Sequence, residues 1–170
     1  MDFAADTVVS ALREAQDLAR SGRRGTEDDA SSGALCQAVK LVSGPSANGG
    51  GLFTAVSKYV AVDGELVDSC AALDGDAGWR RSEGLSGRLE IISAGAGDGT
   101  DGGVASQVFY FKPPFGKILG SDGGSGALQP LPAQVYVFIV GDPDNPQWNR
   151  EVIFDTSTGE ARKSMPVVGQ

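Results

Sequence analysis

The 170-residue chain is long enough for one domain with a substantial core, and its 41% apolar content is too high for a disordered segment. Its net charge of −8 repels phosphate backbones, so nucleic acid is not an expected partner. The sequence contains no histidine, which removes Ser-His-Asp and Cys-His catalysis and the commonest transition-metal ligand in one step.

The first element is an amphipathic helix. Ala4, Val8, Ala11, Leu12, Ala15, Leu18 and Ala19 recur at three- and four-residue steps. Val8, Leu12, Ala15, Leu18 and Ala19 form the face expected to pack on a sheet. Arg13 and Asp17, four apart, are placed to pair. Arg20, Arg23 and Arg24 lie where cations complement the helix dipole, and Gly22 is the natural residue just past the end.

After the polar stretch TEDDASSG, residues 34–42 read as a first strand and residues 52–62, rich in β-branched and aromatic side chains, as a second. Residues 85–93 read as a third strand and residues 106–114 as a fourth, stopped by two prolines. Two Gly-rich stretches, 94–103 and 120–126, read as mobile loops. The most apolar run, 133–142, is expected to be a central strand, and NREVIFDTSTGEARKS a closing hairpin. One helix followed by five to seven antiparallel strands is an α+β layout in a single domain.

The candidates for chemistry are few. Asp74 and Asp76, Asp98 and Asp101, and Asp142, Asp144 and Asn145 could offer oxygen ligands to a hard cation. None follows the spacing of a calcium-binding loop, and Asx residues with glycine are what tight turns require. The glycines form neither a dinucleotide-binding nor a phosphate-binding loop. Trp79 and Trp148 flank loops and are expected as lids on the core. No cofactor or metal is expected. Cys36 and Cys70 are either bridged or two buried thiols, because two sulfurs without an imidazole do not make a structural zinc site.

Both ends of the chain resemble one family. Val8, Val9, Ser10, Ala11, Leu12, Ala15, Ala19, Arg20 and Gly25 match the C-terminal half of the long first helix of GspH/FimT-type pseudopilins, minor subunits of type II secretion systems and type IV pili. Arg150, Val152, Ile153, Thr158, Gly159 and Arg162 match that family's closing hairpin, and VFYFKPPFGKI is similar to its strand ending in a Pro and Gly turn. The resemblance covers about a quarter of the chain. It implies a type IV pilin-like fold, with residues 1–25 as the end of the spine helix and residues 26–170 as the antiparallel β domain. It also implies a structural, non-enzymatic subunit outside the cytoplasm whose partners are other pilin or pseudopilin subunits. In the family the helix continues upstream into an apolar segment that anchors the subunit in the membrane, so this chain is expected to be the soluble part, a monomer when isolated. That compartment implies a Cys36–Cys70 disulfide. The family's basic DNA-binding region is not carried over, because Asp142, Asp144, Glu151, Asp155 and Glu160 interleave with Arg150, Arg162 and Lys163. The alternative reading is a small extracellular binding module whose Gly-rich loops touch a surface, a substrate or DNA.

Overall fold

The computed structural model describes residues 3–21, 36–56, 61–62, 65–66, 70, 78–85, 87–96, 106–113, 116–121 and 128–164. Helix α1 runs from Phe3 to Ser21. Its stripe buries Ala4, Ala5, Val8, Val9, Leu12, Ala15 and Ala19. Leu18, expected on that face, is only half-buried. At about 100° per residue, Leu18 lies about 120° around the helix from Leu12, past the edge of the stripe. Gln16, at the opposite edge of the stripe, is buried although polar.

Strands follow in the order β1 Gln37–Val42, β2 Gly51–Val56, β3 Ala61–Val62, β4 Glu65–Leu66, β5 Arg80–Arg81 and β6 Glu90–Ala96, then β7 Ser106–Lys112, β8 Lys117–Ser121 and β9 Leu128–Pro130, and finally β10 Val135–Gly141, β11 Arg150–Asp155 and β12 Glu160–Lys163. They form a six-stranded sheet ordered β5-β2-β1-β7-β8-β9, a four-stranded sheet ordered β12-β11-β10-β6, and the small hairpin β3-β4. The pairings among the described residues are antiparallel. The architecture is therefore α+β, with one N-terminal helix and two principal antiparallel sheets.

The alternation of side chains along each strand divides the apolar residues between two clusters. Val39 and Leu41 of β1, Phe109 and Phe111 of β7, and Phe138 and Phe154 of the smaller sheet join α1 in the main core. Phe109 is the hub between the sheets. Its ring meets Phe154 at 4.9 Å and Tyr136 at 5.0 Å, both edge-on, the arrangement that ring quadrupoles favour. On the opposite face of the large sheet, Cys36, Ala38, Ala55, Cys70, Tyr110 and Leu119 form a second cluster. Cys36 and Cys70 are joined there by a disulfide, with their Cα atoms 5.2 Å apart. Cys36 stands just before β1 rather than within it.

The other sequence expectations are displaced in instructive ways. The third strand was expected at 85–93 but occupies Glu90–Ala96. Leu85 is buried in a turn, and the strand continues into the Gly-rich stretch because β10 supplies backbone partners for Ala94, Gly95 and Ala96. A register shift between Ile139 and Val140 skips Ile92, as a β-bulge does. In the second expected loop, Gly120 and Ser121 belong to β8 and pair with β9. Residues 97–103 and 122–126 lie outside the described residues, as do Gly22, Arg23, Arg24, Gly25, Asp74, Asp76, Asp98 and Asp101. The turn between β1 and β2 requires glycine at Gly50, where a Cβ would overlap the Gly44 carbonyl.

Candidate assembly surface around the helix

One flank of α1 lies along the outer edge of β12. Glu160 and Arg162 face β11 in register with Asp155 and Ile153, so the carbonyls of the intervening residues point away from the sheet. Helix side chains meet them in reverse order. Lys163 Nζ pairs with Asp6 Oδ1 at 2.8 Å. Arg13 Nε donates to Ala161 O at 2.9 Å. The Gln16 amide satisfies both its groups when Nε2 donates to Gly159 O at 2.7 Å and Oε1 accepts from Arg20 at 3.0 Å. Ten helix residues rise about 15 Å and four strand residues about 13 Å, so the two spacings match. An edge strand left bare would offer these groups to any other strand, and here α1 covers them.

The terms differ in weight. Asp6 and Lys163 are both substantially exposed, so their ion pair adds at most about 1 kcal/mol. Gln16 is buried, and leaving its amide or the Gly159 carbonyl unpaired costs about 1–3 kcal/mol. Gly159 is fixed twice over: φ is +74°, and a Cβ there would overlap the Gln16 amide. Sequence reasoning named Gly159 as part of a turn but missed its partner. The available signal was a glutamine four residues after Leu12, at a stripe position otherwise filled by apolar residues. Arg13, expected to pair with Asp17, reaches Ala161 instead.

The other flank of α1 borders an open trough. Its floor is the helix-side row of β2, in register with Leu41, Val39 and Gln37 of β1. Along that row, exposure rises from 0% at Leu52 through a half-buried Thr54 to 50% at Val56. The helix covers one end of the strand and leaves the other bare. The trough encloses about 510 Å³ and runs from Phe3 to Leu18. Phe3, at the start of the helix, is 68% exposed.

The remaining candidates resolve into turn and packing roles. Asp142 is buried, and its carboxylate accepts from Asp144 N at 2.9 Å and Asn145 Nδ2 at 2.8 Å, which is turn chemistry. Among the described residues no group of three or more acidic, cysteine or histidine side chains is arranged to hold a metal. Trp79 packs against the second cluster, with Lys40 Nζ 5.6 Å from its ring centroid. Trp148, expected as a lid, is exposed in a short 3-10 turn that begins at Pro146. Arg150 Nη1 donates to Asn149 O at 2.8 Å and Gln147 O at 3.2 Å, so its guanidinium stabilises the turn before β11. At the closing turn, the Ser157 hydroxyl, then the backbone N–H groups of Ser157 and Thr158 and the charge of Arg162, hold the Asp155 carboxyl below its ordinary value. No described helix is long and apolar enough to cross a membrane. Comparison of the chain with protein-family models, with curated proteins and with solved structures gives no match.

Proposed function

We propose that this chain is the globular part of a minor pilin or pseudopilin, a structural subunit of a type II secretion or type IV pilus filament with a type IV pilin-like fold. It acts by assembly with other pilin or pseudopilin subunits outside the cytoplasm, and catalysis is not part of the role. The observation that carries this reading is the meeting of the two chain ends. The helix and the closing hairpin, which independently resemble the same family, lie about 150 residues apart and are joined at Asp6–Lys163, Arg13–Ala161 and Gln16–Gly159. A spine helix held this way carries the whole β domain as one body. Any displacement of the helix along a filament then moves both sheets. The Cys36–Cys70 disulfide accords with an oxidising compartment. The resemblance further implies a subunit anchored in the membrane before assembly, and a monomer when the domain is isolated.

The test is fractionation of the source cells with an antibody against this domain. The reading expects the protein in the membrane fraction and in the material sheared from the cell surface, with both cysteines oxidised. A protein confined to the cytosol with two free thiols would overturn it.

A further inference from the structure

We propose that, before assembly, the end of the domain where α1 begins rests on the surface of a lipid bilayer, with Trp148 and Phe3 as its points of contact. This rests on the filament reading, in which the subunit is membrane-anchored, and assigns a lipid contact to the β domain itself. The first observation is position. Among the described residues the exposed large apolar side chains are Phe3, Val56, Val135 and Trp148, and the two aromatic ones share one end of the molecule. Phe3 opens the turn of α1 that carries Asp6, and Asp6 pairs with Lys163 at 2.8 Å. The next residue, Ser164, donates its backbone N–H to Glu151 O at 2.8 Å, and Glu151 follows closely on Trp148 in the chain. Val56 and Val135 stand at the opposite end, across from Gln37 and Asp155.

The second observation is the loop that displays Trp148. Residues 142–149 join β10 to β11, and the buried Asp142 carboxylate holds the turn from within. Asp142 O accepts from Asn145 N at 3.0 Å, Asn145 O from Trp148 N at 2.9 Å, and Pro146 O from Asn149 N at 3.0 Å. Pro143 and Pro146 each lock a further φ angle. A loop held this fully loses little freedom on docking, yet it keeps an indole 42% exposed. Tryptophan has an apolar body and one N–H donor, the combination that places it at the boundary between lipid headgroups and acyl chains. The residues that link the two rings are polar or charged. The rings are therefore two separate apolar points, and not the contiguous patch from which the core of a protein interface is made. Asp6, Asp144, Arg150 and Lys163 bring charges of both signs to this end, so the contact does not depend on anionic lipid. With the membrane anchor as a third point, Trp148 and Phe3 set the tilt of the domain on the bilayer.

The sequence has two tryptophans, which allows a direct test. Trp79→Phe leaves Trp148 as the only indole, and Trp148→Phe leaves Trp79, packed against the second cluster, as the internal control. Each protein carries a hexahistidine tag before Met1 and is tethered to phosphatidylcholine vesicles doped with nickel-chelating lipid. Emission is compared between vesicles with and without bromine on the acyl chains. Bromine should quench Trp148 at least about twofold more than Trp79, and more strongly near the headgroup than deep in the chains, as an interfacial contact requires. Phe3→Ser should weaken the quenching of Trp148, and an uncharged membrane should suffice. Labelling the unsubstituted chain with fluorotryptophan, and reading both indoles by fluorine NMR against a spin-labelled lipid, gives the same contrast without a tryptophan variant. Equal quenching of the two indoles, no quenching of Trp148, indifference to Phe3→Ser, or a contact seen only with anionic lipid would overturn the proposal. None of these outcomes bears on the fractionation result, because a filament subunit does not need its β domain to touch lipid, so this inference and the filament reading fail separately.

Discussion

Replacing Gly159 with alanine tests the helix clamp quantitatively. Gly159 stands at φ +74°, where an L side chain costs about 1–2 kcal/mol. The new Cβ would also occupy the place of the Gln16 amide and push it off the Gly159 carbonyl. Both groups are buried, and stranding one costs about a further 1–3 kcal/mol. Gly159→Ala should therefore destabilise by about 2–5 kcal/mol, or about 4–20 °C in Tm for a chain of this size. In a Gln16→Ala background the collision disappears and only the backbone strain remains. The cost of Gly159→Ala should fall there to about 1–2 kcal/mol, which leaves a coupling of about 1–3 kcal/mol between the two sites. Urea unfolding of the four proteins, followed by far-UV circular dichroism, measures that difference. Additivity within about 0.5 kcal/mol would mean that Gln16 does not hold the turn.

Leu12→Ala should cost about 2–5 kcal/mol, because Leu12 is fully buried, whereas Leu18→Ala should cost less than about 1 kcal/mol; equal losses in thermal unfolding would place Leu18 in the core after all. Replacing Cys36 and Cys70 together by serine should remove up to about 4 kcal/mol of chain-entropy stabilisation for a 34-residue separation, read from the shift in urea midpoint against the oxidised protein. The folded-state value of Asp155 is lowered, so the unfolded chain takes up the proton first as pH falls. Its contribution is complete above about pH 4 and is lost as pH falls through the lowered value; urea midpoints between pH 6 and pH 2 should show this acid loss, and Asp155→Asn should flatten it.

Elements whose side chains dominate their energetics were legible in the sequence. The stripe of α1, the apolar run of β10 and the β11-β12 hairpin all carry a period that only one structure satisfies. Strands held mainly by backbone pairing were not legible. The Ala-Gly-Ala end of β6 and the short strands β5, β8 and β9 carry little pattern, and their neighbours in the sheets determine them. Leu18 shows the limit of counting threes and fours, because a stripe about 100° wide does not admit every apolar residue near its edge. The clamp was hidden for a different reason. Gln16 and Gly159 are 143 positions apart and individually ordinary, and they acquire meaning only when α1 lies along β12. The trough was illegible in the same way, since residues of both α1 and β2 line it and neither stretch alone indicates it.

The proposed filament role is tested at Phe3, which stands exposed at the start of α1. A photoreactive phenylalanine analogue at position 3 of the full-length protein, irradiated in the source cells and followed by mass spectrometry, identifies what lies against the start of the helix. A filament subunit should give covalent adducts with another helix-anchored subunit of the cell envelope, formed only while the filament machinery is present. Adducts with cytosolic proteins alone, or envelope adducts that persist when that machinery is deleted, would contradict it.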